Sequence, residues 1–139
     1  MKILPLLALL TTSISPALAD ISENAENRSD AYSATCRTAI EIAEERKQPP
    51  KDQDDLMRYA IDSANCLSYI KGFIDGHNMT ADHPGNSPQF CIPRGVSYIQ
   101  IARIIVKSSE ERPDIGHHPR ETLLEYSIKS AWPCTTRTK

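Results

Sequence analysis

Between Asp54 and Asn78 the chain places Leu56, Ala60, Leu67, Ile70 and Ile74 at helical spacings, with Tyr59 and Phe73 beside them. Steps of three and four residues make one buried stripe on a helix. Over the same span Ala60, Ala64, Ser68, Gly72 and Gly76 recur every fourth residue. That is a ridge of small side chains, which lets another helix approach closely. Two glycines inside a helix cost roughly 1 kcal/mol each relative to alanine, so close packing or a helix end is expected to offset them. The pattern predicts a long helix carrying Cys66 at its middle, with the rest of the chain wrapped around it.

Three further helices follow from the same periodicity. Ser29 or Asp30 is placed to cap a first helix whose apolar face is Tyr32, Cys36, Ala39, Ile40 and Ala43. The run Glu44-Glu45-Arg46-Lys47 and then Pro49-Pro50 end it, because the residue before a proline disfavours helix. Asp52, Asp54 and Asp55 put negative charge where the long helix begins, as its dipole favours. After Gly76 comes a connection of 14 residues, His77 to Phe90, rich in turn formers. Pro93 is predicted to open the third helix, whose core face is Tyr98, Ile101, Ala102 and Ile105, flanked by Ile99 and Val106. Its other side carries Val96, Gln100, Arg103, Ile104 and Lys107, a mixed surface suited to meeting another chain. Pro119 opens the last helix, with Leu123, Leu124, Ile128, Ala131 and Trp132 on one face, and Pro133 stops it. No stretch alternates with period two. The expectation is an all-α domain, a small four-helix bundle with long second and third connections.

The first 19 residues fall outside that pattern. Lys2, the apolar run Ile3 to Leu10 and Ala17-Leu18-Ala19 read as a signal peptide cleaved after Ala19. Its apolar run is too short to span a bilayer, which needs roughly 20 residues. Residues 20–139 then form a single domain expected to be exported and soluble. Loss of Lys2 leaves 15 basic against 18 acidic residues. The basic residues are scattered, so neither a nucleic-acid footprint nor a membrane surface is expected.

Four cysteines remain: Cys36, Cys66, Cys91 and Cys134. An even count in a small exported chain reads as two disulfides, with three possible connectivities. No C-x-x-C occurs, which argues against a redox motif or zinc knuckle. Cys36 and Cys66 lie at similar heights on the first two helices. Cys91 and Cys134 flank the start of the third and the end of the fourth. The bundle therefore favours Cys36–Cys66 and Cys91–Cys134.

Reactive chemistry is hard to assemble from what is left. His77, His83, His117 and His118 all fall in expected connections, without the spacing that puts two on one helical face, so no metal or other cofactor is expected. No G-x-S-x-G elbow exists, and every cysteine is assigned to a bridge. The residues point to a binding module rather than an enzyme.

The run Cys66-Leu-Ser-Tyr-Ile-Lys-Gly-Phe-Ile-Asp-Gly76, then Phe90-Cys-Ile-Pro93, then the segment from Glu111 to Cys134 resembles the Rap/Tai immunity family. The resemblance covers residues 60–134 and implies a small helical periplasmic protein. Its partner would be a peptidoglycan amidase effector of a type VI secretion system, blocked by occlusion of its cleft. It also implies action as a homodimer, through the small-residue ridge or the face of Val96 and Ile104. Arg103, Lys107, Arg112, Asp114, His117 and His118 are the expected effector-facing residues. The competing expectation is a periplasmic chaperone or stress protein on a disulfide-braced helical scaffold; a metal-binding or catalytic use of the loop histidines is a third.

Overall fold

A computed structural model describes Ala25 and residues 27–134; the expected signal peptide and its cleavage site lie outside the described residues. Four helices run through residues 27–134: α1 (Ser29–Ala43), α2 (Gln53–Ala81), α3 (Tyr98–Glu111) and α4 (Arg120–Ala131), with a short 3-10 turn at Pro113–Ile115. Among the described residues the only β-pairing is two isolated bridges, Arg28 with Pro119 and Phe90 with Pro133.

The centre is α1, which packs against every other element. It buries Tyr32, Ser33, Cys36, Ala39 and Ile40, whereas Ala43 is exposed. The expected hub, α2, buries only Cys66 and Ile70. At 29 residues it is close to twice as long as the 15-residue α1, spanning about 43 Å at 1.5 Å per residue. Its first half therefore overhangs the bundle, and no residue from Gln53 to Asn65 is buried. Leu56 and Ala60, expected in the core, are exposed for this reason. The ridge Ala60, Ala64, Ser68, Gly72 and Gly76 also faces outward, and a Cβ added at either glycine would meet nothing within 4 Å.

The helix ends explain the other differences. Ser29 does not cap α1: its hydroxyl donates to the carbonyls of His118 and Pro119, both at 3.0 Å. At the other end the Glu45 and Arg46 amides donate to Ile42 and Glu41 carbonyls, with Glu45 at φ 52°. Those two bonds turn the chain out of the helix in a Schellman arrangement, a place usually held by glycine. Asp52 caps α2 by accepting from the Asp54 and Asp55 amides at 3.0 and 3.2 Å. Helix α2 continues to Ala81, so His77 lies on it rather than in the following connection. Pro93 opens a turn, not a helix: Gly95 at φ 89° reverses the chain there. Ser97 then caps α3 in a reciprocal box with Gln100. As a result Tyr98 sits in the first turn and stays exposed.

Both expected disulfides are present, with Cα separations of 5.0 Å for Cys36–Cys66 and 4.9 Å for Cys91–Cys134. The first is wholly buried and crosslinks α1 to α2. Beside it the Tyr32 hydroxyl donates to the Cys66 carbonyl at 2.9 Å, and the Tyr32 ring meets Tyr69 edge to face. The second bridge closes the lower end of the bundle, where the Cys91 amide also donates to the Trp132 carbonyl at 2.9 Å. The core between them is Ile101, Ile105, Leu123, Leu124 and Ile128, none more than 1 % exposed.

Candidate functional site

Helices α1 and α3 run antiparallel, because Arg37 pairs with Glu110 while Glu44, later in α1's direction, pairs with Arg103. The seam between them opens to solvent as a shallow groove of about 300 Å³. Ile40 and Val106 floor it, and Arg37, Arg46, Arg103 and Lys107 rim it together with Glu41 and Glu110. Two predicted residues, Arg103 and Lys107, therefore come together here.

The rim is held by its own ion pairs. Arg103 Nε donates to Glu44 Oε1 at 2.6 Å, and Arg46 also pairs with the Glu44 carboxylate. Arg37 donates to Glu110 at 3.0 Å, and Lys107 lies 3.6 Å from Glu111. Exposed pairs of this kind add little stability, typically ~0–1 kcal/mol. Their effect is to hold long side chains in one arrangement over an apolar floor. One carboxylate, Glu44, serves two guanidiniums, and Glu41, Glu110 and Glu111 balance the remaining cations, so the rim is a lattice of fixed charges of both signs.

The remaining predicted residues lie in the connection before α4, in two pairs. Arg112 donates to both Asp114 oxygens at 2.8 and 2.7 Å, and its guanidinium stands 5.0 Å from the centre of the Tyr126 ring. The hydrogen bond to Arg112 holds the Asp114 carboxyl below the usual carboxylate range. His117 and His118 are exposed, with ring centres 4.4 Å apart. Their backbone is fixed to the start of α1, where the Ser29 amide donates to the His118 carbonyl at 2.8 Å and Asp30 to Gly116 at 3.0 Å. No described cavity contains these four together with Arg103 and Lys107.

Arg37, Arg46 and Glu44 were not among the expected site residues. Arg46 and Glu44 belong to the charged run that the sequence marks as a helix end, and Arg37 sits on the polar face of α1. The signal that they act together is the antiparallel pairing of α1 with α3, which no local pattern carries.

A second hollow of about 480 Å³ lies beside Gly72 and Gly76 and is lined by Phe73, His77, Gln89, Phe90 and Glu125. The His77 ring stacks on Phe90 with centres 3.7 Å apart, which makes it a packing group. Among the described residues no three His, Cys, Asp or Glu side chains converge as metal ligands. No described helix is long and apolar enough to cross a membrane.

A family model described as Rap1a immunity proteins matches residues 28–134. The match begins one residue before α1 and ends at the last bridged cysteine. No curated protein and no solved structure matches the chain.

Proposed function

Because this chain belongs to the Rap1a immunity protein family, we propose that it binds a peptidoglycan amidase effector of a type VI secretion system and occludes its cleft. The site of action is the periplasm, reached through the signal peptide that the sequence predicts. The protein itself performs no chemistry in this reading: it offers shape and fixed charge. The observation that supports it is the groove between α1 and α3, where cations and carboxylates fixed in ion pairs surround Ile40 and Val106. Side chains already held by Glu44, Glu110 and Glu111 lose little freedom on association, which favours tight binding from a modest surface. Arg112, Asp114, His117 and His118 extend the contact along the connection before α4, and the protein acts as a homodimer.

The test is titration calorimetry against purified peptidoglycan amidase effectors of type VI secretion systems. One tight complex is expected, and Arg103→Glu with Lys107→Glu should weaken it at least about tenfold, or ~1.4 kcal/mol. Slowing should fall mainly on association if those charges steer, and fade with added salt. Undiminished affinity in that double variant would move the contact elsewhere on the molecule.

A further inference from the structure

Where α2 ends and α3 begins, the connection between them leaves a hollow of about 720 Å³, against about 300 Å³ for the groove between α1 and α3. Its walls are apolar: Ile74 from α2, Phe90 and Ile92 from the connection, Val96 and Ile101 around the start of α3. Phe90 and Ile101 belong to the core, whereas Ile74, Ile92 and Val96 are only partly covered. Tyr98, beside them, stands 39 % exposed. A concavity of this size, mostly apolar with a few polar groups, has the form of a seat for a side chain or small ligand.

Asp82 gives the seat its electrical sign. It is the residue on which α2 ends, and it lies exposed in the lining of the hollow. The last carbonyls of a helix carry partial negative charge, so a cation is favoured there and a carboxylate is not. The last turn of α2 holds no basic residue, and among the described residues no Lys, Arg or His pairs with Asp82. Arg94, the arginine of the same connection, does not line the hollow. A carboxylate and a helix end, both negative, therefore meet at one side of an apolar seat without a balancing cation.

We propose that this hollow seats a segment of the partner protein in which an apolar side chain is followed by an arginine. The apolar side chain fills the space between Ile74, Ile92 and Val96. The guanidinium closes over Asp82 with two parallel hydrogen bonds, a fork that lysine cannot make. Its remaining donors serve the free carbonyls at the end of α2. The inference deepens the reading of this protein as a binder of another protein and rests on it. The seat shares no residue with the groove between α1 and α3.

Amide NMR of the disulfide-intact protein, titrated with capped dipeptides, tests the seat without any amidase. Acetyl-Phe-Arg-amide should shift the Ile74, Val96 and Tyr98 signals saturably. Acetyl-Phe-Glu-amide and acetyl-Gly-Arg-amide should each bind at least about fivefold more weakly. Asp82→Lys should reverse the order of the first two, and Asn78→Trp, at an exposed position in the lining, should weaken both. In calorimetry against an amidase that the natural protein binds, Asp82→Lys should cost at least about tenfold in affinity. No saturable shift, or shifts indifferent to the charge at Asp82, overturns the seat, as does an amidase complex that Asp82→Lys leaves unweakened. Signals that move with protein concentration alone assign the hollow to a second copy and equally overturn it. If no amidase binds at all, the proposed function falls, while the dipeptides still decide the seat.

Discussion

At the scale of single residues the core declares itself through chemistry that cannot be left in water. Tyr32 is the largest case: a buried phenol whose hydroxyl donates to the Cys66 carbonyl. Burial, with Tyr69 nearby, pushes its pKa well above the ordinary tyrosine value. The sign follows directly. In the unfolded chain the phenol ionises near pH 10 while the folded one keeps its proton, so the unfolded state binds fewer protons and stability falls as pH rises beyond that point. Chemical denaturation at neutral pH should find Tyr32→Phe weaker by about 1 kcal/mol, from the lost hydrogen bond. The same variant should lose less stability than the natural protein between neutral and strongly alkaline pH. The sequence placed Tyr32, Cys36, Ala39 and Ile40 inward correctly, because helical spacing alone fixes a face. It put Ala43 inward wrongly, since spacing does not say where the neighbouring helix ends.

At the scale of elements, periodicity found the four described helices, and charged runs and prolines placed the end of α1, the start of α2 and both ends of α4. The cap of α1, the end of α2 and the opening of α3 were missed. Terminal residues are decided by competing hydrogen bonds that a pattern of apolar positions does not encode. Ser29 had the right chemistry for a cap, yet its hydroxyl is taken by carbonyls 89 and 90 residues away. Pro93 had the right conformation for a first turn, but Gly95 reverses the chain before Ser97 can cap α3. The end of α1 offers a direct check. Glu45 occupies the left-handed region, where a side chain costs roughly 1–2 kcal/mol and glycine costs almost nothing. Glu45→Gly should therefore stabilise the protein by about 1 kcal/mol, read as a higher unfolding midpoint in calorimetry. A fall would mean that the Glu45 side chain contributes more than its backbone loses.

At the scale of the whole molecule, the two sulfur bridges were legible from helix heights, and the hub of the bundle was not. The long apolar stripe of α2 looked like the organising element because length and hydrophobicity are what a sequence displays. Centrality belongs to α1, about half the length of α2 but packed against every other described element. The same limitation hid the groove: Arg37 and Arg103 are 66 positions apart, and only tertiary pairing makes them neighbours. The bridges themselves should behave unequally. Cys36 and Cys66 are fully buried, whereas Cys91 is exposed. Mild reductant should open Cys91–Cys134 first, as trapping with a thiol reagent and peptide mapping would read, and its loss should cost about 2–4 kcal/mol. Cys36–Cys66 should yield only on global unfolding. The proposed occlusion of an amidase cleft is read by titrating the purified protein into peptidoglycan hydrolysis by a type VI secretion amidase that it binds. The expected result is a linear fall to zero activity at one binding site per enzyme, with this protein recovered uncleaved. Full hydrolysis in the presence of this protein in excess would contradict the proposal.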